Sequence, residues 1–144
     1  MIESRLDHVG LNVRDLDAMS EWYGRSFGYR VQLRLDLDAV GLRIVMLADG
    51  DGRRFELLTR PGSGAPGLRA ANAVEAAATW GFGHVAFQVA DLGRTYGRLL
   101  ASGASAVAEP APSPEQGLWF AWVHDPEGNL VELIGPNDAS AETR

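Results

Sequence analysis

Apolar and polar residues follow two rhythms along this chain, and the changes of rhythm predict its elements. From Leu6 to Val13 the period is two. That predicts a strand with His8, Gly10 and Asn12 on one face and Val9, Leu11 and Val13 on the other. The rhythm then lengthens: Leu16, Met19, Trp22, Tyr23 and Phe27 recur at helical spacing behind Asp15, a good N-cap, and Gly28 supplies the stop. Period two returns over Tyr29–Leu37, where Val31, Leu33, Leu35 and Leu37 alternate with polar residues. Two more strands are predicted over Gly41–Leu47 and Arg54–Thr59, joined by the tight turn Asp49-Gly-Asp-Gly52. This half reads βαβββ.

Arg60-Pro-Gly-Ser-Gly-Ala-Pro-Gly67 breaks the pattern and predicts a linker over residues 61–82. Inside it, the Ala-rich stretch Leu68–Trp80 is expected to be a short helix or a flap that orders with ligand. The pattern then starts again. Gly83–Val89 predicts a strand, Asp91 a cap, Leu92, Tyr96, Leu99 and Leu100 a helix stripe, and Gly103 its end. A short strand over Ser105–Ala108 is expected to give way to an irregular loop held open by Pro110, Pro112 and Pro114. Leu118–Val123 and Leu130–Ile134 predict the last two strands, around Asp125-Pro-Glu-Gly128. Residues 136–144 are expected to fray. The expected organisation is one domain over residues 1–144, with module one at about 6–60 and module two at about 83–135.

The two halves are an internal duplication. His8-Val-Gly-Leu-Asn-Val-Arg-Asp-Leu16 recurs 76 residues later as His84-Val-Ala-Phe-Gln-Val-Ala-Asp-Leu92. The same offset carries the stretch Asp49–Leu58 onto Asp125–Ile134, so that Glu56 falls on Glu132. Strand parity turns each of these His and Glu side chains away from its apolar neighbours. Four such groups on the inner face of a sheet are costly to bury without partners. A divalent cation would satisfy them together, and imidazole nitrogen with carboxylate oxygen suits Zn, Ni, Co, Mn or Fe. His8, Glu56, His84 and Glu132 are therefore the candidate metal ligands. Asn12 and Gln88 share parity with the histidines and are candidates for lining the cavity. Arg43 is a candidate anchor for an acidic or oxygen-rich substrate, and Trp119, its counterpart by the offset, a candidate aromatic wall. His124 falls outside the repeat and reads as a hairpin residue.

Composition narrows the chemistry. Cysteine is absent, which removes disulfides and thiolate nucleophiles. All 13 basic residues are Arg, which removes Schiff-base chemistry on lysine. The net charge is −6 with no strongly basic stretch, which argues against nucleic acid as a partner. No long uncharged apolar run predicts a membrane span and no secretory signal is recognised, so a cytoplasmic location is expected.

The set His8, Glu56, His84 and Glu132, together with Asp125-Pro-Glu-Gly-Asn-Leu-Val-Glu-Leu-Ile134, resembles the vicinal oxygen chelate superfamily, which includes glyoxalase I, methylmalonyl-CoA epimerase and bleomycin-resistance proteins. The resemblance runs over nearly all of residues 6–135. It implies an α+β fold in which two tandem βαβββ modules form a U-shaped, partly open mixed β-barrel with the helices outside and the metal in its cavity. It also implies a substrate with adjacent oxygens that chelates the ion, which makes a C–H beside the carbonyl acidic. A glutamate of the metal shell serves as base in glyoxalase I and its relatives; by position that is Glu132, then Glu56. The expected function is thus a metal-dependent isomerase, epimerase or lyase acting through an enediolate on a small carbonyl substrate. The alternatives are an extradiol-type dioxygenase, an antibiotic-resistance protein or a binding protein of the same fold. Members build the site within one chain or across two, and a homodimer is preferred. Where glutathione-dependent members carry an Arg four residues after the first ligand, this chain has Asn12.

Overall fold

The computed structural model describes residues 5–64, 70–78, 81–115 and 117–137. The chain divides into two compact units with the boundary after residue 65, one unit to each predicted module.

Unit one runs β1 (His8–Asn12), α1 (Leu16–Phe27), β2 (Arg30–Leu37), β3 (Leu42–Ala48) and β4 (Arg54–Thr59). Its sheet has the order β1-β4-β3-β2, with β1 parallel to β4 and the other pairs antiparallel. The helix begins where Asp15 accepts a bond from the Ala18 amide and ends at Gly28, whose φ of 75° is left-handed. Its stripe packs on one face of the sheet. Met19, Trp22 and Tyr23 are buried with Val45, Leu47, Phe55 and Leu57, and Tyr23 meets Phe55 edge-on at 4.9 Å between ring centres.

Unit two repeats this with β5 (Val85–Gln88), α3 (Leu92–Ala101), β6 (Ser105–Pro112), β7 (Trp119–His124) and β8 (Leu130–Gly135), in the order β5-β8-β7-β6. Its core is the same core at the same offset: Leu92 and Leu99 from the helix, with Ala121, Val123, Val131 and Leu133 from the sheet. The final hairpins also match. In each, an aspartate (Asp49 or Asp125) accepts from the backbone amides two and four residues on, and a glycine with positive φ (Gly52 or Gly128) closes the turn.

Two expectations need correcting. The strand begun at Ser105 does not stop at Ala108 but continues to Pro112. It is an edge strand with register shifts around Ala106, Ala108 and Ala111, and an edge with bulges is where proline can be accommodated without losing a ladder bond. Nor does the tail fray from 136. The Pro136 carbonyl accepts from the Leu92 amide and Asn137 Oδ1 from the Gly93 amide, so both residues cap α3; residues 138–144 lie outside the described residues. Of the two forms expected for the stretch 68–80, the structure has the short helix, α2 (Ala73–Ala76), one turn long and capped by Asn72; residues 68–69 and 79–80 lie outside the described residues. Among the described residues, no helix is long and apolar enough to cross a membrane.

Candidate metal centre

Register decides which side chains share a face. In unit one Glu56 stands opposite both Gly10 and Met46, and Met46 stands opposite Leu33. With the strand parity of β1, this places His8, Gly10, Asn12, Glu56, Met46 and the row Leu33, Leu35 and Leu37 on the face away from α1. The helix-side face holds most of the buried core, and the chemistry-bearing side chains share the other face with Met46 and the leucine row.

His8 and Glu56 meet there, with Nε2 and Oε2 3.5 Å apart. Gly10 makes room for the carboxylate: a Cβ at that position would stand 3.3 Å from Glu56 Oε2. On the far side of the ring, His8 Nδ1 lies 2.8 Å from Asp7 Oδ2, and Asp7 also accepts from Arg54 at 2.9 Å. The hydrogen bond from His8, joined by the charges of Arg54 and His8, outweighs desolvation and holds the Asp7 carboxyl below its usual value.

Unit two builds the same pair. His84 Nε2 and Glu132 Oε2 are 3.3 Å apart. Here the back of the site is aromatic, for His84 meets Trp122 edge-on with ring centres 4.8 Å apart. Burial raises the Glu132 pKa against the opposing pull of His84, so this carboxylate is more basic than an exposed one. In both units the glutamate side chain is deeper (16% and 17% exposed) than its histidine (36% and 41%).

These spacings suit ligands better than hydrogen bonds. A charge-assisted N–H···O bond closes to about 2.7–2.9 Å. Two donors each roughly 2.1 Å from one ion lie about 3.0–3.5 Å apart. Both pairs fall in the second range. Within each unit, the His–Glu pair therefore has the donor types and the spacing that suit a divalent ion. Among the described residues, no group of three or more His, Asp or Glu side chains is gathered as a metal site.

The other expected residues divide. Asn12 and Gln88 are exposed on the His8 and His84 faces of their own sheets. Arg43 is not on the His8 face. Its cross-strand partners are Asp36 and Thr59, it alternates with the buried Val45 and Leu47, and its guanidinium pairs with Asp36 at 3.2 Å. Trp119 has the same parity in unit two, in line with the buried Ala121 and Val123. The aromatic side chains beside Glu132 are instead Trp122, its direct cross-strand partner, and Phe120, which has the same parity. Counting parity back from Glu132 across the Asp125 turn would have found both. His124 is also on this face, and its Nε2 donates to the Ala70 carbonyl at 3.0 Å, which ties the hairpin to the stretch before α2.

Comparison with known proteins agrees with this architecture. A family model described as the glyoxalase/bleomycin resistance protein/dioxygenase superfamily matches residues 5–133. The chain is similar to a probable lactoylglutathione lyase of Vibrio cholerae, 27% identical over 98% of this chain and 97% of that protein. It is also similar to biphenyl-2,3-diol 1,2-dioxygenase 3 of Rhodococcus globerulus, 26% identical over 98% of this chain and 68% of that one. Among solved structures, a glyoxalase family protein from Bacillus cereus superposes with a TM-score of 0.77 at 22% identity, covering 95% of this chain and 97% of that chain.

Proposed function

Because the chain belongs to the glyoxalase/bleomycin resistance protein/dioxygenase superfamily, we propose that it is a divalent-metal-dependent lyase, isomerase or epimerase that moves a proton beside a substrate carbonyl. The observation that carries this is the repeated His–Glu pair: His8 with Glu56 and His84 with Glu132, each at ligand spacing and each on the sheet face turned from its helix. His8, Glu56, His84 and Glu132 are the residues that would hold the ion. When bound, the ion supplies Lewis acidity that makes a C–H next to a carbonyl ionisable.

The chain's own residues then divide the work. Glu132, beside His84 and made more basic by burial, takes the proton, and Glu56 is the second candidate for that role. Return of the proton to a neighbouring carbon gives isomerisation; return to the opposite face of the same carbon gives epimerisation. Trp122 and Phe120 in unit two, and Leu33, Leu35 and Leu37 in unit one, offer apolar surface on the same faces for the rest of the substrate. Asn12 and Gln88 supply polar contacts to a small carbonyl compound. Arg43, engaged with Asp36 on the other face, takes no part.

The lyase reading is preferred over a ring-cleaving dioxygenase because each module contributes a glutamate. Two His and one carboxylate suffice for non-heme iron oxygenases, and a second carboxylate takes a position that oxygen needs. The test has two arms. Purified protein should contain or take up about one divalent ion per His–Glu quartet, and removing it should abolish turnover. With metal present, Glu132→Gln should stop exchange of the substrate's α-proton with solvent deuterium. Exchange at the wild-type rate in that variant would refute Glu132 as the base, and oxygen consumption with a catechol and ferrous iron would favour the dioxygenase.

A further inference from the structure

The two histidines of the repeat are not held in the same way. Asp7 stands just before β1, and its Oδ2 receives both His8 Nδ1 at 2.8 Å and Arg54 Nη1 at 2.9 Å. An ionised carboxylate only accepts, so the proton of that first bond belongs to Nδ1. In the neutral ring this leaves the lone pair on Nε2, the atom that faces Glu56. The offset that relates the modules places Gly83 at the position of Asp7 and Leu130 at that of Arg54. Among the described residues, module two therefore has no such clamp. His84 is steadied by the edge-on contact with Trp122, which restrains the ring plane and selects neither nitrogen.

The geometry points to Asp7 as a positioning residue that locks His8 in its Nδ1–H form with Nε2 presented for a divalent ion, while Arg54 holds Asp7 in place. The inference builds on the ligand role of His8 proposed above. Carboxylates hydrogen-bonded to the back of a ligating imidazole fix its tautomer and orientation, and losing one typically costs about 10–100-fold in metal affinity. Among the described residues, His8 has this support and His84 does not. The chain thus assigns its better-defined nitrogen ligand to module one and its aromatic wall to module two.

The test begins with metal-free protein at alkaline pH, where nitrogen-15 NMR correlations of the ring nitrogens report each tautomer. Wild-type His8 should show the Nδ1–H form. In Asp7→Ala it should revert to the mixture of a free imidazole, while His84 and His124 keep their signals. Asp7→Asn still offers an accepting oxygen, so it should retain the Nδ1–H form. Zinc competition titrations should then show affinity falling about 10–100-fold in Asp7→Ala and less in Asp7→Asn. A persistent Nδ1–H signal in Asp7→Ala, or zinc affinity unchanged in that variant, would overturn the assignment. Failure of the wild-type protein to bind zinc, nickel or cobalt would count against the metal-dependent function, and the tautomer comparison would still decide the role of Asp7.

Discussion

The two hairpin aspartates make the same turn and sit in different surroundings. Asp125 is 2% exposed, and its carboxylate accepts from the amides of Glu127 and Asn129 and from the Asn129 side chain at 2.8–2.9 Å. Truncation leaves those donors unpaired in a partly buried turn. Asp125→Ala should therefore lower unfolding free energy by about 2 kcal/mol or more, measurable by urea denaturation. Asp49 holds the amides of Asp51 and Arg53 and the Arg53 guanidinium. Desolvation pushes its pKa up, but those hydrogen bonds outweigh it and leave the value below the ordinary 3.8. A depressed carboxylate contributes stability that is complete above its unfolded value and is lost as pH falls through the folded one. Asp49→Asn should thus flatten the acid limb of the stability–pH curve below about pH 4. An unchanged limb would assign the acid sensitivity elsewhere.

At the level of elements, helix stripes and caps were legible almost to the residue. Asp15 and Gly28 bound α1 as expected, and Asp91 begins α3. The His–Glu faces followed from parity alone, since each Glu alternates with buried Phe55 and Leu57, or Val131 and Leu133. The choice of Arg43 and Trp119 failed because an offset relates positions without saying which face they occupy. The face is set by the register across the Asp49 and Asp125 turns, which puts Met46 and Trp122 opposite the glutamates. The proline stretch misled for another reason: a broken edge ladder keeps strand geometry where propensity alone predicts a loop. One element contact was invisible to pattern. A Cβ on Gly135 would run into the Val89 carbonyl, whereas Thr59 fills the equivalent place in unit one. Gly135→Ala should cost about 1–3 kcal/mol by overpacking, read as a lowered denaturation midpoint. A neutral result would mean β8 can shift away from β5 without loss.

For the molecule as a whole, each unit buries its own helix on its own sheet, and each carries half of the proposed ligand set. An ion bound by residues that only the folded chain sets in place stabilises only the folded chain. Zinc at a hundredfold excess over its Kd should add about 2.7 kcal/mol to unfolding free energy. Replacing Glu56 and Glu132 together by Ala should erase that gain while leaving the metal-free protein folded, as judged by circular dichroism and calorimetry. A gain that survives the double replacement would move the ion elsewhere. The pairing of His with Glu inside each unit was legible from the sequence. The support behind each histidine was not, because Asp7 and Trp122 act through contacts that no repeat preserves.

Doubling a module whose helix and sheet are complete in themselves has a further outcome. Each copy packs its own helix on one face of its own sheet, so a substitution on the other face leaves that packing in place. The open faces differ, with a carboxylate clamp and a rail of leucines in one copy and indole and phenyl rings in the other, while the sheet interiors correspond where Val45, Leu47, Phe55 and Leu57 fall on Ala121, Val123, Val131 and Leu133. A protein made this way can retune what it grips one half at a time.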